Sequence, residues 1–308
     1  MGGMSARENR SAKRFAEAQA ARELPHPKED ANKYTRGKLV FVAGSAHFPG
    51  AACLAAAASQ RAGAGYTEVV THERAVPVVQ AYRPSLVVCS FDDWRASELS
   101  EARAGHPMAV VVGCGFDARD AENDRRVCAV LRHAACPVLV DGTGIATLVS
   151  LEARQLLAER ESAGRTTVIT PHGGEAARLA KFFGIDMTDP AEAARALARN
   201  YHCIVVLKGP DTYVADGDRA FAVRLGTAAL AKAGTGDVLA GVIGALLAQG
   251  ADTALDACAT GAVLHAVAGN IAAEELTDVS VIAEDLIDYL PDAIAYVEGV
   301  AADGNKNA

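Results

Sequence analysis

Residues 39–51 read Leu39-Val40-Phe41-Val42-Ala43-Gly44-Ser45-Ala46-His47-Phe48-Pro49-Gly50-Ala51. Five consecutive apolar residues enter a loop bounded by glycine, and an alanine-rich stretch follows. A short run that is apolar at every position, rather than at every second one, is the pattern of a parallel strand covered by helices on both faces. The same event recurs along the chain. Further β-branched or apolar runs stand at Tyr66–Val70, Leu86–Cys89, Ala109–Val112, Val138–Val140, Thr167–Ile169, Ile204–Leu207 and Thr212–Ala215, mostly separated by Ala-rich helical sequence. Strand-then-helix repetition predicts an α/β fold: a three-layer α/β/α sandwich around a mostly parallel central sheet. Only Lys208–Asp211 joins the last two runs, too little chain for a crossover helix, so they are expected to form an antiparallel hairpin at one sheet edge. After Gly234 the pattern turns almost wholly helical. Residues 5–24 have helical composition, stopped by Pro25 and Pro27. The expected organisation is an N-terminal arm of helix plus linker over 1–36, a single catalytic domain over 37–298 and a polar tail over 299–308.

Composition narrows the function. Half of the 308 residues are apolar and 22% are charged, ample for a buried core, and the net charge is −8 with no basic run. That excludes nucleic acid as an expected partner, and an anionic ligand would need a local site to hold it against the overall field. The seven cysteines, Cys53, Cys89, Cys114, Cys128, Cys136, Cys203 and Cys258, form no C-x-x-C pair and read as reduced core thiols, while the eight histidines lack zinc-ligand spacing. The N-terminus lacks the apolar core of a signal peptide. The longest clean apolar run is Val238–Ala248; the longer Ala257–Ala273 is broken by Thr260, His265 and Asn270. Both read as buried helices, no membrane partner is expected, and the expected location is cytoplasmic.

The chemistry is read where glycines meet strand ends. In doubly wound sheets ligands bind at the C-terminal ends of strands. Here those ends run into Gly44–Ala51, into Gly113-Cys114-Gly115, into Asp141-Gly142-Thr143-Gly144 and into Thr170-Pro171-His172-Gly173-Gly174-Glu175. Four such junctions along one sheet point to one extended crevice for a large polar ligand. The sharpest signal is Ala233-Gly234-Thr235-Gly236-Asp237 before the apolar run Val238–Leu247. A glycine pair opening a buried helix leaves its first N–H groups aimed at one spot, an anion site strengthened by the helix dipole. Asp237 is either an N-cap or a base that takes a proton from a hydroxyl while the N–H groups hold phosphoryl charge. Lys208 in Lys208-Gly209-Pro210-Asp211-Thr212 favours the second reading, since a lysine and free backbone groups there could hold a nucleotide phosphate. No G-x-x-x-x-G-K-[ST] segment is present, which excludes a P-loop.

These residues carry a resemblance. Gly234-Thr235-Gly236-Asp237 before a buried helix resembles the anion-hole motif of the ribokinase-like superfamily. Within it the chain is similar to the ADP/ATP-dependent NAD(P)H-hydrate dehydratases from about Pro25 to the last helix. The likeness rests on Asn32–Gly37, Ala43-Gly44-Ser45 with Pro49-Gly50-Ala51, Arg61–Gly65, Gly113–Gly115, Thr170–Glu175, Leu207-Lys208-Gly209 with Thr212, and Ala231-Lys232-Ala233 leading into the anion hole. The Thr-Pro-His-x-Gly-Glu segment separates this family from sugar and vitamin kinases of the same fold. The chain departs from the usual pattern at Asn32-Lys33, Asp141-Gly142-Thr143 and Gly226-Thr227. The roughly 36 residues before the expected catalytic domain are too few for the epimerase domain often fused to this family, so that domain is not expected in this chain.

The resemblance implies metabolite repair: NADH or NADPH hydrated at C6 of the nicotinamide ring is restored by phosphoryl transfer from ADP or ATP with Mg²⁺, then loss of phosphate. It implies Asp237 as base and Gly234, Thr235 and Gly236 as phosphoryl-holding groups. It places the adenine nucleotide on Lys208, Gly209, Pro210, Asp211, Thr212 and Gly236. It lines the hydrated-cofactor site with Ala51, Gly115, His172 and Asp237, and it leaves any metal ligand unassigned. It also implies a homo-oligomer, commonly a tetramer. Two other readings stand beside it: a small-molecule kinase of the superfamily with the same Asp237, and a non-catalytic nucleotide-binding protein.

Overall fold

The structure is a computed structural model that describes residues 12–100 and 105–306. Among the described residues ten strands form one sheet: β1 Lys13–Arg14, β2 Lys38–Val42, β3 Tyr66–Thr71, β4 Val87–Ser90, β5 Met108–Val112, β6 Val138–Val140, β7 Thr167–Ile169, β8 Ile204–Leu207, β9 Thr212–Ala215 and β10 Ala220–Val223. Their spatial order is β1-β10-β9-β8-β7-β6-β5-β2-β3-β4. From β8 to β4 every pairing is parallel, and the β8–β9 and β9–β10 pairings are antiparallel.

Among the described residues ten α-helices cover the sheet: α1 Glu17–Glu23, α2 Pro49–Arg61, α3 Val76–Tyr82, α4 Glu122–His133, α5 Leu151–Ser162, α6 Gly173–Phe183, α7 Pro190–Tyr201, α8 Thr235–Ala248, α9 Ala254–Leu276 and α10 Ala283–Lys306. Successive residues of each strand face opposite layers. Leu39, Phe41, Val69, Val111, Leu139 and Val206 pack with α1, α2, α3, α8, α9 and α10. Val40, Val42, Val70, Val110, Val112, Val140, Ile169 and Val205 pack with α4, α5, α6 and α7. Because both faces are buried, both residue sets must be apolar, which is why the strands carry no alternation.

Helix α8 is apolar nearly all round and buried along its length, as such a helix must be. Two glycines let it approach its neighbours. A Cβ on Gly241 would overlap the Ala55 carbonyl oxygen of α2, and one on Gly244 would lie 2.6 Å from a Val111 methyl of the sheet. Helix α9 is long and apolar enough by composition to span a membrane, yet it is mostly buried inside the fold. All seven cysteines are free thiols, five of them buried.

Several expectations need correction. The β8–β9 hairpin forms but is not the sheet edge: β10 extends it antiparallel and β1 adds a parallel strand beyond. The helix expected over 5–24 is confined, among the described residues, to Glu17–Glu23, behind the short strand Lys13–Arg14; residues 5–11 lie outside the described residues. Phe15 of this arm packs against Phe221 at 4.9 Å between ring centroids, and it and Ala20 are buried, so the arm's apolar residues are covered by its own chain. The expected polar tail continues the last helix through Lys306.

Gly241→Ala is expected to destabilise the protein by about 1–3 kcal/mol, since backbone on both sides must move to admit one methyl group. Thermal unfolding checks this, and an unchanged midpoint would mean that α8 has room against α2.

Candidate active site

The sheet register aligns the strand ends. Val42 pairs with Val112, Val112 with Val140 and Val140 with Ile169, while Ile169 pairs with Val205. The loops after β2, β5, β6, β7 and β8 therefore open side by side, and the N-terminus of α8 comes down on them from one helical layer. Close backbone approach explains two of the glycines. Gly113 has φ +109°, and a Cβ there would overlap the Asp141 carbonyl oxygen. Gly115 has φ +67°, and its Cβ would lie 2.6 Å from both the Ala51 methyl and the Phe48 carbonyl oxygen. Ala51 and Gly115, far apart in sequence, thus meet at the β2–β5 end of the crevice.

Gly234, with φ +92°, is the N-cap of α8. Thr235 Oγ1 donates to the Leu230 and Lys232 carbonyl oxygens at 2.8 and 2.9 Å, which pins the turn. No side chain caps the helix. The N–H groups at its mouth stay unclaimed by side chains, as an anion site requires. Asp237 is not the N-cap but lies in the first helical turn, half-buried, beside Cys114 and Asp141; one ligand atom from each lies within 4.8 Å of the others. Burial pushes its carboxyl up to about 6; the Asp141 charge adds to this, while the Cys114 thiol and Lys208 oppose it.

Asp141, 3% exposed, directly follows β6. Its Oδ1 accepts from Lys208 Nζ at 2.8 Å and from Thr170 Oγ1 at 2.5 Å, and Cys114 Sγ lies 3.6 Å from its Oδ2. Burial works against the Lys208 ammonium, but the Asp141 carboxylate outweighs it and holds the lysine above its usual range. A Cβ on Gly236 would sit 3.3 Å from Lys208 Nζ, so the ammonium lies directly under the anion turn. His265 of α9, 8% exposed, bonds through Nε2 to the Thr235 carbonyl oxygen at 2.8 Å. Since a carbonyl only accepts, Nε2 carries the proton. Burial lowers this imidazole to about 4, so it supports the turn in its neutral form.

The remaining sequence-predicted residues stand at the same ends of the strands. His172 is exposed and caps α6: its Nδ1 accepts from the Gly174 N–H at 3.0 Å, and its own N–H donates to Glu175 Oε2 at 2.9 Å. The Lys208 N–H donates to the Pro171 carbonyl at 2.9 Å, joining the Thr-Pro-His loop to the β8 end. Gly209 and Pro210 are exposed in the β8–β9 turn, with Asp211 and Thr212 half-buried. A Cβ on Gly226 would overlap the Pro210 carbonyl oxygen, so the Gly226-Thr227 segment lies directly against this turn.

Sequence reasoning placed Asp141, Cys114 and Thr170 in the crevice loops but gave them no assigned role, and it read His265 only as part of a buried helix. A lone Asp after a strand reads as a cap, and a His within an apolar helix reads as core. Asn32–Gly37 and Arg61–Gly65 pack on each other at the start of β2 and β3, where the Gly65 N–H donates to Gly37 O at 3.0 Å and Tyr34 stacks on Tyr66. They lie at the opposite end of the strands from the crevice.

Cys114, Asp141 and Asp237 do not fit a Mg²⁺ cage. The ion takes hard oxygen ligands in near-octahedral geometry, whereas here one donor is a thiol and Asp141 Oδ1 is already occupied by Lys208 and Thr170.

A family model described as NAD(P)H-hydrate dehydratase matches residues 39–292. The chain is 32% identical over 289 residues to the ADP-dependent (S)-NAD(P)H-hydrate dehydratase of Xanthomonas campestris, covering 90% of this chain and 95% of that protein. It is 33% identical over 282 residues to the bifunctional NAD(P)H-hydrate repair enzyme Nnr of Thermofilum pendens, covering 88% of this chain but only 52% of that protein, so it spans about half the length of such two-function relatives. The ADP/ATP-dependent NAD(P)H-hydrate dehydratase of Bacillus subtilis, co-crystallised with ATP/Mg²⁺, superposes with a TM-score of 0.76 at 26% identity, covering 94% of this chain and 99% of that one. A ribokinase-like superfamily protein of Enterococcus faecalis shares the fold, with a TM-score of 0.75 at 22% identity over 93% of this chain and 96% of that one. The fold is ribokinase-like, and the chain belongs to the NAD(P)H-hydrate dehydratase family.

Proposed function

We propose that this protein dehydrates hydrated NADH or NADPH at the expense of ADP or ATP. The observation that carries the reading is Asp237: a half-buried carboxylate raised to about 6 beside a helix turn built for negative charge. Pure binding of a phosphate gains nothing from a carboxylate placed there, whereas proton removal from a hydroxyl needs one.

Asp237 takes the proton of the C6 hydroxyl. The resulting oxygen attacks the terminal phosphorus of the nucleotide, and AMP or ADP leaves. The N–H groups of Gly234, Thr235 and Gly236, with Lys208 beneath them, hold the charge on the transferring phosphoryl group. The ring nitrogen lone pair then expels phosphate from C6, and loss of the C5 proton restores the ring double bond. Hydroxide is a poor leaving group and phosphate a good one, which is why the phosphoryl step makes elimination possible. Lys208 to Thr212 and Gly236 take the nucleotide; Ala51, Gly115, His172 and Asp237 take the hydrated dinucleotide. Mg²⁺ would neutralise part of the charge on the nucleotide phosphates, and Cys114, Asp141 and Asp237 would not serve to hold it. The proposal includes a cytoplasmic setting and a homo-oligomeric, commonly tetrameric, assembly. A superfamily kinase would leave a stable phosphate ester instead, and the Thr170–Glu175 segment favours the dehydratase.

Incubation of hydrated NADH with ADP and Mg²⁺ should restore the reduced-nicotinamide absorbance. Phosphate-ester accumulation on another alcohol, with no such recovery, would replace the reading by a kinase. Asp237→Asn should lower kcat by about 10²- to 10⁴-fold while ADP affinity is held or improved, because the base is lost along with a negative charge near the phosphates. Its stability should rise at pH 7. A carboxyl raised in the folded state contributes stability only at low pH and loses that contribution as pH rises through about 6. Removing the charge should therefore relieve on the order of 2–3 kcal/mol above that pH and nothing below about pH 4. Near-normal turnover in this variant would leave Asp237 without the assigned role.

His172→Asn keeps a residue able to cap α6 but removes the imidazole. It should raise KM for the hydrated dinucleotide several-fold and leave ADP affinity unchanged. Loss of ADP binding with a normal dinucleotide KM would mean that the two halves of the crevice are reversed.

A further inference from the structure

We propose that Arg119 and His47, held on the carboxylate of Asp117 at the β2–β5 end of the crevice, form a site that reads a phosphate of the hydrated dinucleotide. This rests on the function proposed above and names how that substrate's anionic part is held.

The placement comes first. His47 belongs to the loop that leads from β2 into α2, whose first turn carries Ala51, and Asp117 and Arg119 follow Gly115 in the loop after β5. These loops touch at Gly115, Ala51 and Phe48. The strand order β8-β7-β6-β5-β2 puts them at the far end of the crevice from Lys208. A dinucleotide with its ring beside Asp237, and with ADP on the β8 side, extends toward this end. The chain carries a net charge of −8, so a dinucleotide bearing several phosphate charges needs a local cation there.

The geometry comes second. Asp117 Oδ1 accepts from the Arg119 backbone N–H and Nε, both at 3.0 Å. Its Oδ2 accepts from Arg119 Nη2 at 2.8 Å and lies 2.8 Å from His47 Nδ1, with Nη2 and Nδ1 3.4 Å apart. Asn123 Nδ2 donates to the Asp117 carbonyl oxygen at 2.6 Å and fixes the loop. Asp117 is buried, while the Arg119 and His47 side chains are 74% and 59% exposed. A simple surface ion pair leaves both partners exposed. Here a buried carboxylate, held well below the usual carboxylate range by the Arg119 hydrogen bonds, is spent on aiming two bases outward. Nη1 of Arg119 has no hydrogen bond among the described residues. The guanidinium fork matches phosphate geometry, and its rotamer freedom is already lost before a ligand arrives. The nearby Arg126 is not equivalent: it is engaged by Asp120 and Asn123 at 2.6 and 3.1 Å.

Arg119→Ala, an exposed substitution that leaves the core untouched, should raise KM for hydrated dinucleotide about tenfold or more, with kcat and the KM for ADP unchanged. Arg119→Lys, which keeps the charge but loses the fork, should fall between. Kinetics are measured with hydrated NADH and hydrated NADPH separately. A rise confined to the NADPH form assigns the site to the 2′-phosphate; a rise for both assigns it to the pyrophosphate. Unchanged KM for both, in a protein whose wild type turns them over, overturns this site alone. Absence of turnover in the wild type overturns the functional reading and this site with it.

Discussion

The ion pair between Lys208 and Asp141 is the constraint on which the site is built. It joins the ends of β8 and β6 across the end of β7, where Thr170 adds a hydrogen bond to the same carboxylate oxygen. Burying two charges is costly, and such a pair persists only where further hydrogen bonds satisfy it. Thr170 and Cys114 supply them here. The pair fixes an ammonium under the turn of α8 and a carboxylate beside Asp237. In the function proposed above, the first favours a phosphoryl group at the turn. Burial above all, with the charge of the second added, keeps Asp237 from ionising as readily as a free carboxylate.

The rest of the molecule serves to bring that turn to the sheet. Gly241 and Gly244 admit α8 close to α2 and the sheet, and the Gly234 φ of +92° starts the helix without a side chain over its N–H groups. His265 braces the Thr235 carbonyl from α9 in a neutral form, so no positive charge there varies across the working pH range. Lys208, held on Asp141, stands at one end of the row of strand ends, and Arg119, held on Asp117, at the other.

Much of this was legible in the sequence because parallel strands buried on both faces leave uniform apolar runs, and Val110-Val111-Val112 admits no other reading as a strand. β10 was missed because Ala220-Phe221-Ala222-Val223 is short and follows directly on the polar Asp216–Arg219 turn. β1 was invisible for a different reason: Lys13 and Arg14 are exposed, and what fixes them is backbone pairing and the burial of Phe15. In the site, glycines that require positive φ or close approach announced Gly113, Gly115 and Gly234. The glycines after it placed Asp141 at a strand end of the crevice, but its role and that of His265 lie in which residue they touch across the fold, and spacing along the chain does not encode that.

The central claim is that Asp237 is a base poised near neutrality by its surroundings. Its carboxyl carbon can be followed by NMR in protein labelled at aspartate, with Asp237→Asn identifying the resonance. The titration is run without nucleotide, whose own phosphate ionises in the same range. The account predicts a midpoint near 6. A midpoint near 4, the ordinary value for an aspartate in water, would contradict it.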